Sequence, residues 1–206
     1  MTLRLSRTLL GTSSLERECG DFRMPLRRAT VPAEAVPEHS HETAHVILAI
    51  DENYISGAAG ASSWRGPSLE VRGSNEFGRS FVGIAFRGAN RDTYDVVYVR
   101  PFRFRSDDPA LAAHGLQYMS VPDHPWPVLR ERSPGVYESS IGSAPDPNDW
   151  VHLTVRFRAG RMQAFVNGAR SPQLDLPLLT QRTGGRAALW VGNDSSGAFR
   201  NLRDCS

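Results

Sequence analysis

Two arginines, Arg87 and Arg100, close the two strand-like runs of SFVGIAFRGANRDTYDVVYVRPFRFR, residues 80–105. A guanidinium presents a planar fork of donors that matches a hydroxyl pair, a carboxylate or a phosphate. Side chains alternate along a strand, so Gly83, Ala85 and Arg87 share one face of the first run. Val96, Tyr98 and Arg100 share one face of the second, and in LQYMS Gln117 and Met119 oppose Leu116, Tyr118 and Ser120. With these runs as neighbours in a sheet, Arg87, Tyr98, Arg100 and Gln117 converge on one face, and small Gly83 and Ala85 leave space above it. Tyr98 adds an apolar ring with a polar tip, and Gln117 offers both donor and acceptor. Trp126, set among prolines in SVPDHPWPVLRER, reads as an aromatic platform on a stiff loop flanking that face. Such a set suits a sugar-like or anionic ligand. The plainer alternative is a solvated sheet face in a chain whose every basic residue is Arg, with Trp126 plugging the edge of the core.

Acid–base chemistry draws on Glu138, Asp95 and His124, the last beside Asp123 in a Pro-rich loop. Retaining glycoside hydrolysis needs two carboxyls about 5 Å apart. Here Glu70, Asp95, Glu138 and Asp146 are scattered singly, so a pair has to assemble from different strands. His39, His41 and His45, at i, i+2 and i+6, can point to one side of a strand and offer imidazoles to a divalent ion. The alternative for them is a polar arm with titrating surface histidines. Asn193, Asp194 and Ser195 supply only a turn's worth of oxygens, too few for Ca²⁺. Nucleophile elbow, P-loop, dinucleotide fingerprint and CxxC are all absent from the sequence, and no cofactor is expected.

The elements that must hold these groups have a period of two. Val46–Ile50, Leu69–Val71, Phe81–Arg87, Val96–Arg100, Leu116–Ser120, Val136–Ile141, Val151–Arg158, Met162–Val166 and Ala187–Val191 read as strands separated by Gly, Pro, Asn, Asp and Ser. In WVHLTVRFRAGRMQAFVNGA, residues 150–169, Val151, Leu153, Val155 and Phe157 alternate with polar residues, and Ala159-Gly160 turns a tight hairpin. One helical turn is expected at Asp108–Ala113, with Asp108 as cap and Pro109 at the first position. Many short strands and few helices describe an antiparallel sandwich or jelly roll.

The chain's 206 residues suffice for one well-buried domain, and a net charge of +2 points to neither nucleic acid nor a membrane surface. The absence of Lys beside 24 basic residues fits a GC-rich, bacterial coding genome. Cys19 and Cys205 lie near opposite ends; free thiols are the blander reading and a bridge closing the ends is the alternative. The N-terminus lacks a signal-peptide apolar run, so a soluble, cytoplasmic protein is expected.

At residues 80–105, and again at GRAALWVGNDSSGAFRNLR (185–203), the chain resembles the concanavalin A-like lectin/glucanase superfamily. The branch it resembles within that superfamily is related to laminin-G-like modules and 3-keto-disaccharide hydrolase-like domains. Trp150-Val151-His152, Val166-Asn167-Gly168, Leu189 to Asn193, and Phe199, Asn201 and Leu202 carry the likeness, in order, over residues 65–203. The resemblance implies the fold and a sugar-related ligand or reaction. Glucanases of the superfamily carry E-x-D-x-E or E-x-D-x-x-E, and this chain has neither. VPEHSHETAHVILAIDENYISG, residues 36–57, resembles the opening strands of a cupin, but the cupin's second histidine motif does not follow.

These readings predict an all-β, concanavalin A-like antiparallel sandwich over residues 46–206, behind an N-terminal arm or partial cupin-like segment, 1–45. The leading function is binding of a carbohydrate or other polar small molecule through Arg87, Tyr98, Arg100, Gln117 and Trp126. One alternative is an enzyme acting on a glycoside or oxidised sugar, with Glu138, Asp95 or His124 as acid or base. Another is a protein-interaction domain, a homo-oligomer included, that buries the Trp126 loop and the arm against another subunit.

Overall fold

The computed structural model describes residues 27–31, 46–49, 63–75, 78–90, 92–182 and 185–205. Cys19 and the three histidines His39, His41 and His45 fall outside them. Two six-stranded antiparallel sheets stack face to face. The first runs, edge to edge, through β1 (Arg27–Val31), β12 (Ser195–Cys205), β3 (Ser63–Ser74), β8 (Val151–Arg158), β9 (Arg161–Val166) and β10 (Leu174–Pro177). The second runs through β2 (Val46–Ala49), β11 (Arg186–Val191), β4 (Val82–Asn90), β5 (Thr93–Val99), β6 (Leu116–Val121) and β7 (Glu138–Ser139). This is the antiparallel β-sandwich that the period-two pattern predicts. Three strands escape the period-two reading: β1, β10 and β12. The first of them lies in the stretch read as an arm and pairs along β12 from Arg27↔Phe199 to Val31↔Ser195.

Apolar residues of the two facing surfaces fill the space between the sheets. Leu69, Val71, Leu153, Val155 and Phe199 of the first sheet meet Ile84, Phe86, Val97, Leu116 and Leu189 of the second, all buried. Each such side chain contributes about 1.5–3 kcal/mol relative to exposure. Strand β8 shows the expected half-buried alternation, with Val151, Leu153 and Val155 inward. The β8–β9 hairpin turns on Ala159 and Gly160, both in the left-handed region at φ 49° and 76°, as a two-residue turn between twisted strands requires.

The second sheet departs from that alternation. Along β4 and β5 nearly every residue is buried, because a second apolar cluster covers the outer face as well. Ala85, Tyr94, Val96, Tyr98, Met119 and Trp190 form it with Leu129 of a helix, α2 (Trp126–Arg132). The space expected above Gly83 is therefore filled. Gly83 pairs with Tyr98 on one side and Trp190 on the other, and those two rings meet with centroids 4.8 Å apart. The stiff loop expected around Trp126 is this helix; its prolines fall at the cap and in the first turn, where a missing N–H costs nothing. The other helix, α1 (Pro109–Ala112), is capped as expected, with the Asp108 carboxylate accepting from the Ala110 N–H at 2.8 Å. Among the described residues no helix is long and apolar enough to cross a membrane.

Candidate functional site

Strand pairing places Tyr98 opposite Gln117, and Gln117 opposite Glu138 at the short edge strand β7. A continuous polar chain follows. The Tyr98 hydroxyl donates to Gln117 Oε1 at 2.6 Å, and Gln117 Nε2 donates to Glu138 Oε2 at 2.5 Å. Arg130, one turn into α2, donates to the same oxygen at 2.9 Å, and His114 Nδ1 lies 2.7 Å from it. Burial pushes the Tyr98 phenol well above its ordinary range, so it stays a neutral donor. Burial also pushes Glu138 upward, but the hydrogen bond and charge of Arg130, with Gln117 and His114, outweigh it and hold the carboxyl below its usual range.

The three contacts to Glu138, from Gln117, Arg130 and His114, all meet Oε2 and leave Oε1 unused by them, on a side chain 11% exposed. Glu138 lines a cleft between α2 and the β6–β7 edge together with Gln117, Trp126, Leu129, Arg130 and Tyr137. The cleft is a shallow notch: it encloses only about 10 Å³, room for about one water and far below the roughly 300–1,000 Å³ of pockets that engulf a ligand. Trp126 stands at its rim, 38% exposed, with the Arg130 guanidinium 4.8 Å over its ring. A carboxylate acceptor, a guanidinium donor and an aromatic face within one shallow cleft are the groups that read ring hydroxyls and an apolar ring face. As an acid, Glu138 is poorly prepared, because its surroundings favour the ionised form.

Arg87 does not join this group. A β-bulge interrupts β4 between Ala85 and Gly88, and Arg87 sits in it at φ 53°. A bulge re-aims the side chain it carries, and here it swings the guanidinium away from the Gly83–Ala85 face. Arg87 NH1 lies 3.0 Å from Asp95, while NH2 donates to the Thr180 carbonyl at 2.8 Å. Arg182 holds the other Asp95 oxygen at 2.7 Å and reaches Ser120 Oγ as well. Arg87 is 5% exposed and Asp95 fully buried, so both candidates belong to an internal ion cluster at one end of the sandwich.

Arg100 shares the Tyr98 face but stacks its guanidinium over Phe81, 4.9 Å from the ring centroid, beside the cleft rather than in it. His124 lies where its backbone bridges Ser120, N to O at 2.7 Å and 3.0 Å, remote from Glu138 in the network. Asp194 pairs with Arg79, and the Ser195 hydroxyl is taken up by Phe81 N–H and the Asn193 carbonyl. Among the described residues no three His, Cys, Asp or Glu side chains gather as a metal site would need. Two residues of the cleft escape the sequence reading as binding groups, Arg130 and, in a binding rather than catalytic role, Glu138; so does His114, which contacts Glu138. The i, i+4 spacing of Trp126 and Arg130 on a helix was the available signal, hidden by reading that stretch as a loop.

No family model matches the chain, and no curated protein matches it in sequence. Among solved structures the chain is similar to a carbohydrate-binding module from Bacillus subtilis, at 14% identity and a TM-score of 0.48, over 71% of this chain and 78% of that one. A β-glucanase from Bacillus licheniformis is similar at 12% identity and a TM-score of 0.40, over 70% and 67%. Domain 4 of an extracellular arabinanase from Geobacillus stearothermophilus, in complex with arabinotriose, is similar at 13% identity and a TM-score of 0.38, over 90% and 84%.

Proposed function

We propose that this sandwich is a binding domain for a neutral, hydroxyl-rich carbohydrate-type ligand, held across the cleft between α2 and the β6–β7 edge. The observation that carries the reading is the joint placement of Trp126, Arg130 and Glu138 on that cleft. Trp126 offers its exposed face to a sugar ring, Glu138 accepts from a hydroxyl and Arg130 donates to its neighbour. Tyr98 and Gln117, both buried, act behind them as positioning residues that fix the Glu138 carboxylate. Arg100 flanks the site, and Arg87 serves the fold instead. The ionised Glu138 disfavours an anionic ligand at this place.

A glycan array followed by calorimetric titration of the best neutral oligosaccharide tests the proposal. Trp126→Ala is expected to weaken binding about tenfold or more, and Glu138→Gln to weaken it less while leaving the fold intact. Silence across the array, or a Trp126→Ala variant that binds like the parent, defeats the reading. A dimer that Trp126→Ala dissociates, together with silence on the array, replaces it with a subunit contact at the same helix.

A further inference from the structure

The outer face of the first sheet carries a charge pattern that the cleft does not use. Arg28, Arg72, Arg156, Arg158 and Arg203 project from it, and no ion pair joins any of them to a carboxylate among the described residues. Arg200 and Arg161 complete the set, paired with Glu70 and Asp175. Those two carboxylates are outnumbered, so the face is more positive than the whole chain's net +2 and the rest of the protein is net negative. Segregation of this kind is not expected from an arginine-rich coding bias alone, which would scatter arginine over both sheets.

The guanidiniums are also held in place. Arg72 and Arg200 lie 5.0 Å and 4.1 Å over the Trp150 ring, and Arg156 lies 4.5 Å over Phe165. Placed over a ring, a guanidinium not engaged elsewhere, as at Arg72 and Arg156, keeps its N–H edges for the solvent side, which preorganises bidentate contact with a carboxylate. Successive outward residues of a strand are about 6.6 Å apart and neighbouring strands about 4.8 Å apart, so the forks form a two-dimensional array. An array rewards a ligand with repeated charges, since each further contact is made at high effective concentration.

We propose that this face binds an acidic polysaccharide, a linear chain of sugars bearing repeated carboxylates. The covered ring faces favour it over nucleic acid. Single-stranded nucleic acid gains affinity by stacking bases on free aromatic faces, and Trp150 and Phe165 already carry guanidiniums. A duplex is read by an element that enters a groove, and this face is a flat sheet. The site stands apart from the cleft, and either can fail without the other.

The test is affinity electrophoresis of the full chain in gels containing polygalacturonate or, as the neutral control, dextran, with parallel shifts of single- and double-stranded DNA. Polygalacturonate is expected to retard the protein at low salt, dextran is not, and the retardation is expected to fade as salt rises. Charge reversal at two exposed positions, Arg156→Glu with Arg158→Glu, is expected to lower the affinity about tenfold or more, while Trp126→Ala leaves it unchanged. Arg72→Ala, with its circular dichroism compared to the parent, gives a second, milder variant should the double reversal unfold the chain. No retardation at low salt, retention by the folded reversal variant, or tighter binding to either DNA than to polygalacturonate overturns the proposal.

Discussion

The two outer faces of this sandwich have opposite fates. That of the second sheet is closed by Tyr94, Tyr98, Met119 and Trp190 under α2, and only its β6–β7 margin opens into a cleft. That of the first sheet is clothed by arginines lying on Trp150 and Phe165. Burying a sheet face on apolar partners stabilises the fold but removes it as a contact surface; covering it with stacked guanidiniums leaves it chemically available. The broad middle of the second sheet thus works as core, and only its edge is left open as a contact surface.

Tryptophan truncation on each face is the most severe way to break this contrast. Trp190→Ala is expected to cost about 3–5 kcal/mol, because its fully buried ring packs on Tyr98 and donates to the Tyr94 hydroxyl. Trp150→Ala should cost about 1 kcal/mol, the scale of exposed cation–π contacts. Equal losses in denaturant titrations would erase the distinction. Next comes Gly83→Ala. Its new methyl would collide with the Val97 carbonyl and stand 2.5 Å from the Tyr98 Cα, so about 1–3 kcal/mol is expected; an unchanged midpoint would mean that the Tyr98–Trp190 contact is loose.

The pH dependence separates the faces more gently. Burial pushes His152 on the arginine face below its ordinary 6.5, against the pull of Glu70 and with help from Arg203. As pH falls through 6.5 the unfolded chain binds a proton before the folded one does, so stability is retained at higher pH and lost on acidification. The parent should therefore lose more in Tm than His152→Gln between about pH 7.5 and about pH 5.5. Identical slopes for the two proteins would contradict the sign. The smallest effect is reserved for Glu70→Gln, which breaks a partly exposed pair with Arg200 and should cost no more than about 1 kcal/mol.

Part of this molecule is plain in its sequence. VHLTVRFR alternates cleanly and becomes a strand with one wet face, and the Ala159-Gly160 turn behaves as written. YDVVYV does not alternate cleanly, and that unbroken apolar run already indicates cover on both faces. Reading it as one polar face put open space over Gly83, where two aromatic rings meet. Arg87 could not be placed by counting residues, because a bulge shifts everything beyond it and no local pattern announces the bulge. Alternation places Tyr98 beside Gln117, and the two are paired across β5 and β6, while Trp126 lines the same cleft as Gln117. Arg130 and Glu138 needed α2 to be seen as a helix, and the prolines at its cap and in its first turn disguised it.

The two-residue length of β7 has a consequence beyond the cleft it borders. A sheet's last strand exposes unpaired backbone groups on which another chain can extend the ladder. Here that margin pairs only at Leu116↔Ser139 and Gln117↔Glu138, and the corresponding margin of the first sheet is the four-residue β10, ending in Pro177. Neither offers a template long enough for runaway strand addition, so both margins are guarded against seeding a fibril.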